Sequence, residues 1–193
     1  MELKSILALS LLMSASSVHA YNINDAPTAD NGYTEFLQTI NIAGRDLKID
    51  IPTDYDLAIQ QNEHNQQTLG FVPDNETQDD WTELLTISID FNSSISASER
   101  VEQIKEYLER EHKDSSKIRS SSDNVTTRDG RSYQVSQATF QFSDEESPIS
   151  SAITCYTDHT TLVCAQAHLR SSKPSMRTAS RAQKIINNIM KVD

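Results

Sequence analysis

The 193-residue sequence is poor in the residue types that build several common kinds of site. Its two cysteines exclude a four-cysteine zinc site and a disulfide-dense scaffold. It has four glycines and neither a Walker sequence nor a dinucleotide-binding glycine pattern, so we predict no cofactor. No apolar run reaches about 18 residues, so no ordinary membrane-spanning helix is expected.

Positive charge is also scarce. The sequence has 17 Lys and Arg residues against 28 Asp and Glu residues, which gives a formal net charge of -11. A protein that coats nucleic acid needs a basic surface, so this balance argues against a nucleic-acid partner. The apolar fraction of 36% is low, but a chain of this length can still bury a hydrophobic core.

The N-terminus has the composition of an export signal. Lys4 precedes the apolar stretch Ile6–Met13, and a small-x-small cleavage pattern ends at Ala20. A retained membrane anchor is the alternative, but the apolar stretch is too short to span a bilayer. We therefore predict that the mature chain begins at Tyr21 and is periplasmic or secreted.

Three regions follow from this assignment. Residues 1–20 are predicted to be the signal peptide, and the polar residues 21–32 a flexible leader. Residues 33–193 are predicted to form a single domain, because their length suits one core.

Export makes the two cysteines informative. Cys155 and Cys164 have eight residues between them, and each lies within a sequence of strand character. Such pairs usually form a disulfide in an oxidising compartment, so we predict a bridge that staples a hairpin. A redox-active dithiol is the alternative, although catalytic pairs are usually spaced Cys-x-x-Cys.

Apolar periodicity predicts several strands. Phe36–Ile42 and Leu47–Ile51 flank a Gly-containing turn and together predict a hairpin, while Leu85–Phe91 alternates as a half-buried strand does. The polar segments Gln60–Gln67 and Asp114–Asp123 are predicted to be loops. In the strand predicted over Tyr133–Phe142, the apolar parity shifts between Val135 and Ala138, which predicts a β-bulge or a twist there.

Two helices are predicted. Ser96 and Glu99 have the spacing of a capping box, and an apolar stripe follows them. A second amphipathic segment runs from Ser175 to Met190. Runs of strands broken by single helices predict an α+β fold, with one mostly antiparallel sheet and two helices on one face. This arrangement is similar to the topology of Mog1-like and PsbP-like domains.

The second predicted helix is strongly basic. Residues 170–193 hold six cations and one acid, for a net charge of +5, whereas residues 21–169 hold ten cations and 26 acids, for a net charge of -16. Four cations lie within about 80° of its helical wheel: Arg177, Arg181, Lys184 and Lys191. We interpret this stripe as a docking surface for an anionic lipid, an acidic glycan or an acidic protein. A solvated helix face, or pairing with the acidic body of the domain, is the alternative.

A second candidate site surrounds the single tryptophan. Trp81 could stack on a sugar ring while Asp80 and Glu83 bind its hydroxyl groups. The alternative is that Trp81 caps the core. Glycosidases use pairs of carboxylates for catalysis, so a carboxylate-based hydrolase is an alternative function. The histidines lack metal-ligand spacing, and we predict neither a metal site nor a catalytic residue.

One segment resembles a known group of proteins. Phe71-Val72-Pro73, then Glu76, then Trp81-Thr82-Glu83-x-x-Thr86, is similar to a segment in small exported proteins of intracellular Gram-negative bacteria. Some of these are type II secretion substrates linked to infection. The resemblance implies a periplasmic or secreted location and a virulence-associated action at the host interface. It carries over no catalytic residue.

The sequence therefore favours a non-enzymatic secreted or periplasmic binding protein. It would act at the host interface and dock an anionic partner through the second helix. An extracytoplasmic hydrolase is one alternative, and a periplasmic accessory protein of an envelope complex is another.

Overall fold

The structure is a computed structural model that describes residues 24–28, 35–42, 45–52, 54–63, 65–112, 116–126, 132–143 and 148–170. The predicted signal peptide and the predicted helix Ser175–Met190 lie outside these residues. The described residues form ten strands and one helix, which are, in chain order, β1 (Asn24–Thr28), β2 (Glu35–Ile42), β3 (Arg45–Pro52), β4 (Tyr55–Glu63), β5 (Gln66–Pro73), β6 (Glu83–Asp90), α1 (Ala97–Glu111), β7 (Ser116–Thr126), β8 (Ser132–Ser143), β9 (Pro148–Asp158) and β10 (Thr161–Arg170).

The strands form two antiparallel sheets. β1, β2 and β3 make a three-stranded sheet in that order, and the other seven make a sheet of order β4-β5-β6-β10-β9-β8-β7. The larger sheet consists of two meanders, β4 to β6 and β7 to β10, which meet where β6 pairs with β10. The chain segment that contains α1 connects β6, near the sheet centre, to β7 at its edge.

Each face of the seven-stranded sheet carries a cluster of buried apolar residues. α1 packs on one face, mainly against β8 and β9 and to a smaller extent against β7 and β10, and we call this the helix face. Its core includes Trp81, Phe140 and Phe142, together with Val101, Ile104 and Leu108 of α1. The opposite face holds a second apolar cluster that includes Phe71, Ile87, Ile89 and Val163, and Ile51 of β3 joins it.

The parity shift in β8 is a consequence of this two-sided burial. Val135 belongs to the cluster on the opposite face, whereas Ala138 and Phe140 belong to the helix face. The register of β8 with β9 is continuous from Val135 to Ser143. Of the two readings that the sequence left open, the β-bulge is therefore wrong at this point, because the apolar residues change face while the register stays regular.

The start of α1 is fixed by the predicted capping box. The Glu99 amide donates to the Ser96 hydroxyl at 3.2 Å, and the Ser96 amide donates to the Glu99 carboxylate at 2.7 Å. The apolar stripe of α1 is buried, with Ile104 only 2% exposed and Leu108 1% exposed. The capping-box prediction is confirmed, and this helix is too short and too polar to cross a membrane.

The predicted fold class is wrong. An α+β domain with two helices on one face of a single sheet was expected, but the described residues are mostly β, with a single helix on an antiparallel sheet. The physical reason is that two polar segments form strands. Gln60–Gln67 was predicted to be a loop and supplies the end of β4 and the start of β5, while Asp114–Asp123 supplies most of β7. Backbone pairing with their neighbours holds these strands despite their polar side chains.

The predicted hairpins were correct. β2 and β3 pair antiparallel from Glu35 opposite Pro52 to Ile42 opposite Arg45. β9 and β10 pair through a tight turn at His159, whose φ is 53°. Asn24–Thr28, part of the predicted leader, forms β1 and pairs with β2.

Candidate functional site

A small polar pocket lies on the helix face where β5, β6 and β10 meet the N-terminal part of α1. The cavity measures about 10 Å³. Its lining residues are Gln66, Ser88, Asp90, Arg100, Ile104, Leu162, Cys164 and Gln166. Five of these eight side chains are polar or charged, which is unusual beneath a helix in a domain core.

An ion pair forms one wall of the pocket. The Arg100 Nη2 atom lies 2.9 Å from Asp90 Oδ2, and the two side chains are 7% and 23% exposed. Burial raises the pKa of the Asp90 carboxyl, although the Arg100 guanidinium and a Ser93 hydrogen bond oppose this effect. Burial also disfavours the charged form of Arg100, so it lowers the pKa of the guanidinium, and the nearby Asp90 carboxylate opposes this effect. The pair ties the start of α1 to the end of β6.

The floor of the pocket is a row of polar side chains on the two central strands. The β6–β10 register places Asp90 opposite Leu162, Ser88 opposite Cys164, and Thr86 opposite Gln166. Gln166 is 2% exposed and Thr86 is 4% exposed. Within the described part of the chain, neither Gln166 Oε1 nor Thr86 Oγ1 has a hydrogen-bond partner. The pocket thus contains an acceptor that is buried and not satisfied.

A buried histidine continues this row. His168 is 1% exposed, and its Nδ1 atom lies 2.6 Å from the Ser151 hydroxyl on β9. Burial lowers the pKa of His168 to about 4, so the ring is neutral at physiological pH. A Ser–His contact of this length can serve nucleophilic catalysis, but Ser151 is itself only 2% exposed and a substrate has no open path to it.

Trp81 is held in the core beside His168, with 6.4 Å between their ring centroids. The Trp81 side chain is 1% exposed. The Arg170 guanidinium lies 4.3 Å from its ring centroid and also donates to the Trp81 carbonyl at 3.1 Å. Asp80 is exposed, whereas Glu83 is 7% exposed. The three predicted ligand-contact residues therefore do not share one open surface, and the ligand contact stays a prediction.

The segment that carries the family resemblance builds the loop between β5 and β6. The Glu76 carboxylate accepts from the Thr82 amide at 2.6 Å and from the Thr82 hydroxyl at 2.8 Å. Asn75 adopts a φ of 66°, a left-handed conformation that Asn tolerates better than most residues. These contacts explain the residue pattern by loop structure, with Trp81 as the apolar anchor at the end of the loop.

The cysteines form the predicted disulfide. Cys155 and Cys164 face each other across β9 and β10, with 4.1 Å between their Cα atoms. Both are buried, at 0% and 2% exposure. The bridge lies on the helix face, and Cys164 lines the pocket.

The remaining predicted site residues are not among those that the structure describes. The four cations of the predicted docking stripe, Arg177, Arg181, Lys184 and Lys191, lie outside the described residues. His159 is at the exposed tip of the β9–β10 hairpin, 3.7 Å from Asp158, whereas His168 is buried far along β10. No group of three metal-ligating side chains occurs within the described ranges.

The pocket was not predicted from the sequence. Asp90 and Ser88 alternate with apolar residues and so resembled the solvent side of a half-buried strand. A signal was present in α1, because Arg100 precedes Ile104 by four residues and therefore lies on its apolar stripe. A cation on a buried stripe predicts a carboxylate partner in the core.

The described residues define a mostly β domain. A disulfide links two of its strands, and a small polar pocket lies beneath its helix. The chain belongs to a bacterial family of uncharacterised proteins, whose family model matches residues 52–192. This range contains the whole seven-stranded sheet and α1. A comparison with curated proteins finds no match.

Proposed function

We propose that the protein is an exported, non-enzymatic binding protein that docks an anionic partner through the basic residues of its C-terminal segment. The partner is an anionic lipid, an acidic glycan or an acidic protein surface. The observation that carries the proposal is charge segregation: residues 170–193 have a net charge of +5 and residues 21–169 a net charge of -16.

The described surface supports this segregation. The solvent side of α1 is acidic, with exposed Glu99, Glu102, Glu106 and Glu109. The loop between β5 and β6 adds exposed Asp74, Asp79 and Asp80. An acidic body repels anionic surfaces, so a basic segment would orient the molecule with its C-terminal segment towards such a partner.

The disulfide supports export. Cytosolic thiols are kept reduced, whereas bridges form and persist in the periplasm and outside the cell. Cys155 and Cys164 are directly opposed in the sheet register, and the bridge joins the two strands at this point. A periplasmic or secreted location also places the basic segment within reach of anionic lipids, glycans and host surfaces.

Binding to vesicles tests the proposal. The wild-type protein should co-sediment with phosphatidylglycerol-containing vesicles at low salt and ignore phosphatidylcholine vesicles. Binding should weaken near physiological ionic strength, because screening there limits exposed charges to about 8 Å. The same comparison with an acidic and a neutral glycan separates the two partner chemistries.

Two matched double variants locate the surface. Arg177→Ala with Arg181→Ala removes two cations of the proposed stripe. Lys105→Ala with Arg110→Ala removes two cations of α1 that pair with Glu102 and Glu111. Only the first variant should lose binding. Equal losses would show that net charge alone matters, and a wild type that ignores every anionic surface at low salt would refute the proposal.

A further inference from the structure

We propose that the pocket beneath α1 is a binding site for one internal water molecule, which links Gln166 to the Asp90–Arg100 ion pair. The proposal concerns the described core and is independent of the proposed function. Three features carry it: the size of the cavity, the charge of its lining, and a buried acceptor that the described residues leave without a partner.

The size of the cavity selects a very small ligand. At about 10 Å³ it approaches the volume of about 10–15 Å³ that a single water requires on this measure. A sugar, a nucleotide or a phosphate ester is much larger, so these ligand classes do not fit without movement of α1 or of the sheet.

The charge of the lining selects a neutral ligand. Asp90 and Arg100 are the charged residues among the lining side chains, and they pair with each other at 2.9 Å. A cation would meet the guanidinium and an anion would meet the carboxylate. A neutral molecule with both donors and acceptors suits both groups, and water has two of each.

The buried Oε1 atom of Gln166 requires a hydrogen-bond donor. Gln166 is 2% exposed and lines the pocket, and within the described ranges its Oε1 atom accepts no hydrogen bond. A buried acceptor without a donor is costly. Gln66 and Ser88 also line the pocket and carry donors, but among the described residues neither of them donates to Gln166 Oε1. A bridging water is therefore the simplest way to satisfy Gln166 and reach the ion pair.

The bridge would connect three elements. Gln166 lies on β10, Asp90 ends β6, and Arg100 lies in the first part of α1. The water would therefore join the centre of the sheet to the segment that starts the helix. Internal waters with such partners are part of the structure and are costly to remove.

A crystal structure of the full chain at about 1.5 Å tests the site directly, because water oxygens are well defined at that resolution. The wild type should show one isolated density peak in the pocket, within hydrogen-bond distance of Gln166 Oε1 and of the ion pair. An empty pocket, or density of a larger molecule or an ion, would overturn the proposal.

A matched pair of variants tests the role of Gln166. Gln166→Met keeps the side-chain volume and removes the acceptor. The occupancy of the water peak in the pocket should therefore fall from full to none. Gln67→Met is the control, because Gln67 is also 2% exposed with an unsatisfied Oε1 among the described residues but does not line the pocket. Its pocket peak should remain.

A peak that persists unchanged in Gln166→Met would overturn the bridging role. If Gln166→Met does not fold, Ser88→Ala makes a smaller change in the same lining. It removes a hydroxyl and should lower the occupancy or shift the water towards Gln166. A water peak with unchanged position and unchanged occupancy in Ser88→Ala would contradict the placement of the water against this lining.

Discussion

The buried histidine makes the stability of the protein depend on pH in a specific range. His168 is 1% exposed, and it contacts Ser151 through Nδ1 and the Trp81 ring at 6.4 Å between centroids. No partner for Nε2 occurs among the described residues. Protonating this ring would place a charge in the core without a counterion, so acid should favour the unfolded chain.

The magnitude follows from the pKa of His168 in the two states. Burial lowers the pKa from 6.5 to about 4 in the folded protein, and the unfolded value is near 6.5. Between these values the unfolded chain binds more protons, so the free energy of unfolding rises with pH. The stability from neutral His168 is complete above pH 6.5 and is lost as pH falls towards 4. The total is about 3 kcal/mol.

Urea denaturation from pH 4 to pH 7, followed by tryptophan fluorescence, measures this effect. Carboxylates also titrate in this range, so the informative quantity is the difference between wild type and His168→Gln. The variant is expected to be less stable at pH 7, because the substitution disturbs the core, and to show a shallower pH dependence. His159→Asn is the matched control, because its side chain is 85% exposed and Asn tolerates its positive φ. Parallel pH profiles for wild type and His168→Gln would refute the reasoning.

Three further changes have expected effects on the free energy of unfolding, each measurable by urea denaturation. Ser96→Ala removes the helix cap and should cost about 1 kcal/mol, whereas no loss would show that the capping box contributes nothing. Reducing the Cys155–Cys164 bridge, which closes a loop with a sequence separation of 9, should cost about 3 kcal/mol, and an unchanged midpoint after reduction would contradict this. Gly70→Ala would place a Cβ atom 2.8 Å from the Ile59 Cβ atom and should cost about 1–3 kcal/mol, so a neutral result would show that β4 moves freely.

Local patterns with a strong physical signal were predictable from sequence. The capping box, the β2–β3 hairpin and the disulfide-linked hairpin each depend on a few neighbouring residues. Each of them is found where expected. Because these signals depend on neighbouring residues, they predict local structure independently of how the rest of the chain folds.

The fold class was not predictable by the same reasoning. Gln60–Gln67 and most of β7 are polar, and polarity alone indicates a loop. Their strand structure comes from pairing with β5 and β8, which is a tertiary effect that overrides local composition. The same limit applies to β6, where Ser88 and Asp90 resembled a solvent face but lie beneath α1 and line the pocket.

The candidate site was only partly predictable. The disulfide followed from export and spacing, but the ion pair required knowing that Asp90 and Arg100 meet across the β6–α1 connection. For Trp81 the sequence left two readings open, a ligand contact and a cap on the core. The structure places the ring in the core beside the Arg170 guanidinium.

Export is the claim on which the proposed function depends most directly, and one measurement tests it. The culture of the producing bacterium is separated into cytoplasm, periplasm, envelope and supernatant, each fraction is alkylated without reductant, and the intact mass of the protein is determined. We expect a chain that begins at Tyr21, is found in the periplasm or the supernatant, and carries no alkylated thiol. A full-length chain in the cytoplasm, with Cys155 and Cys164 both alkylated, would contradict it.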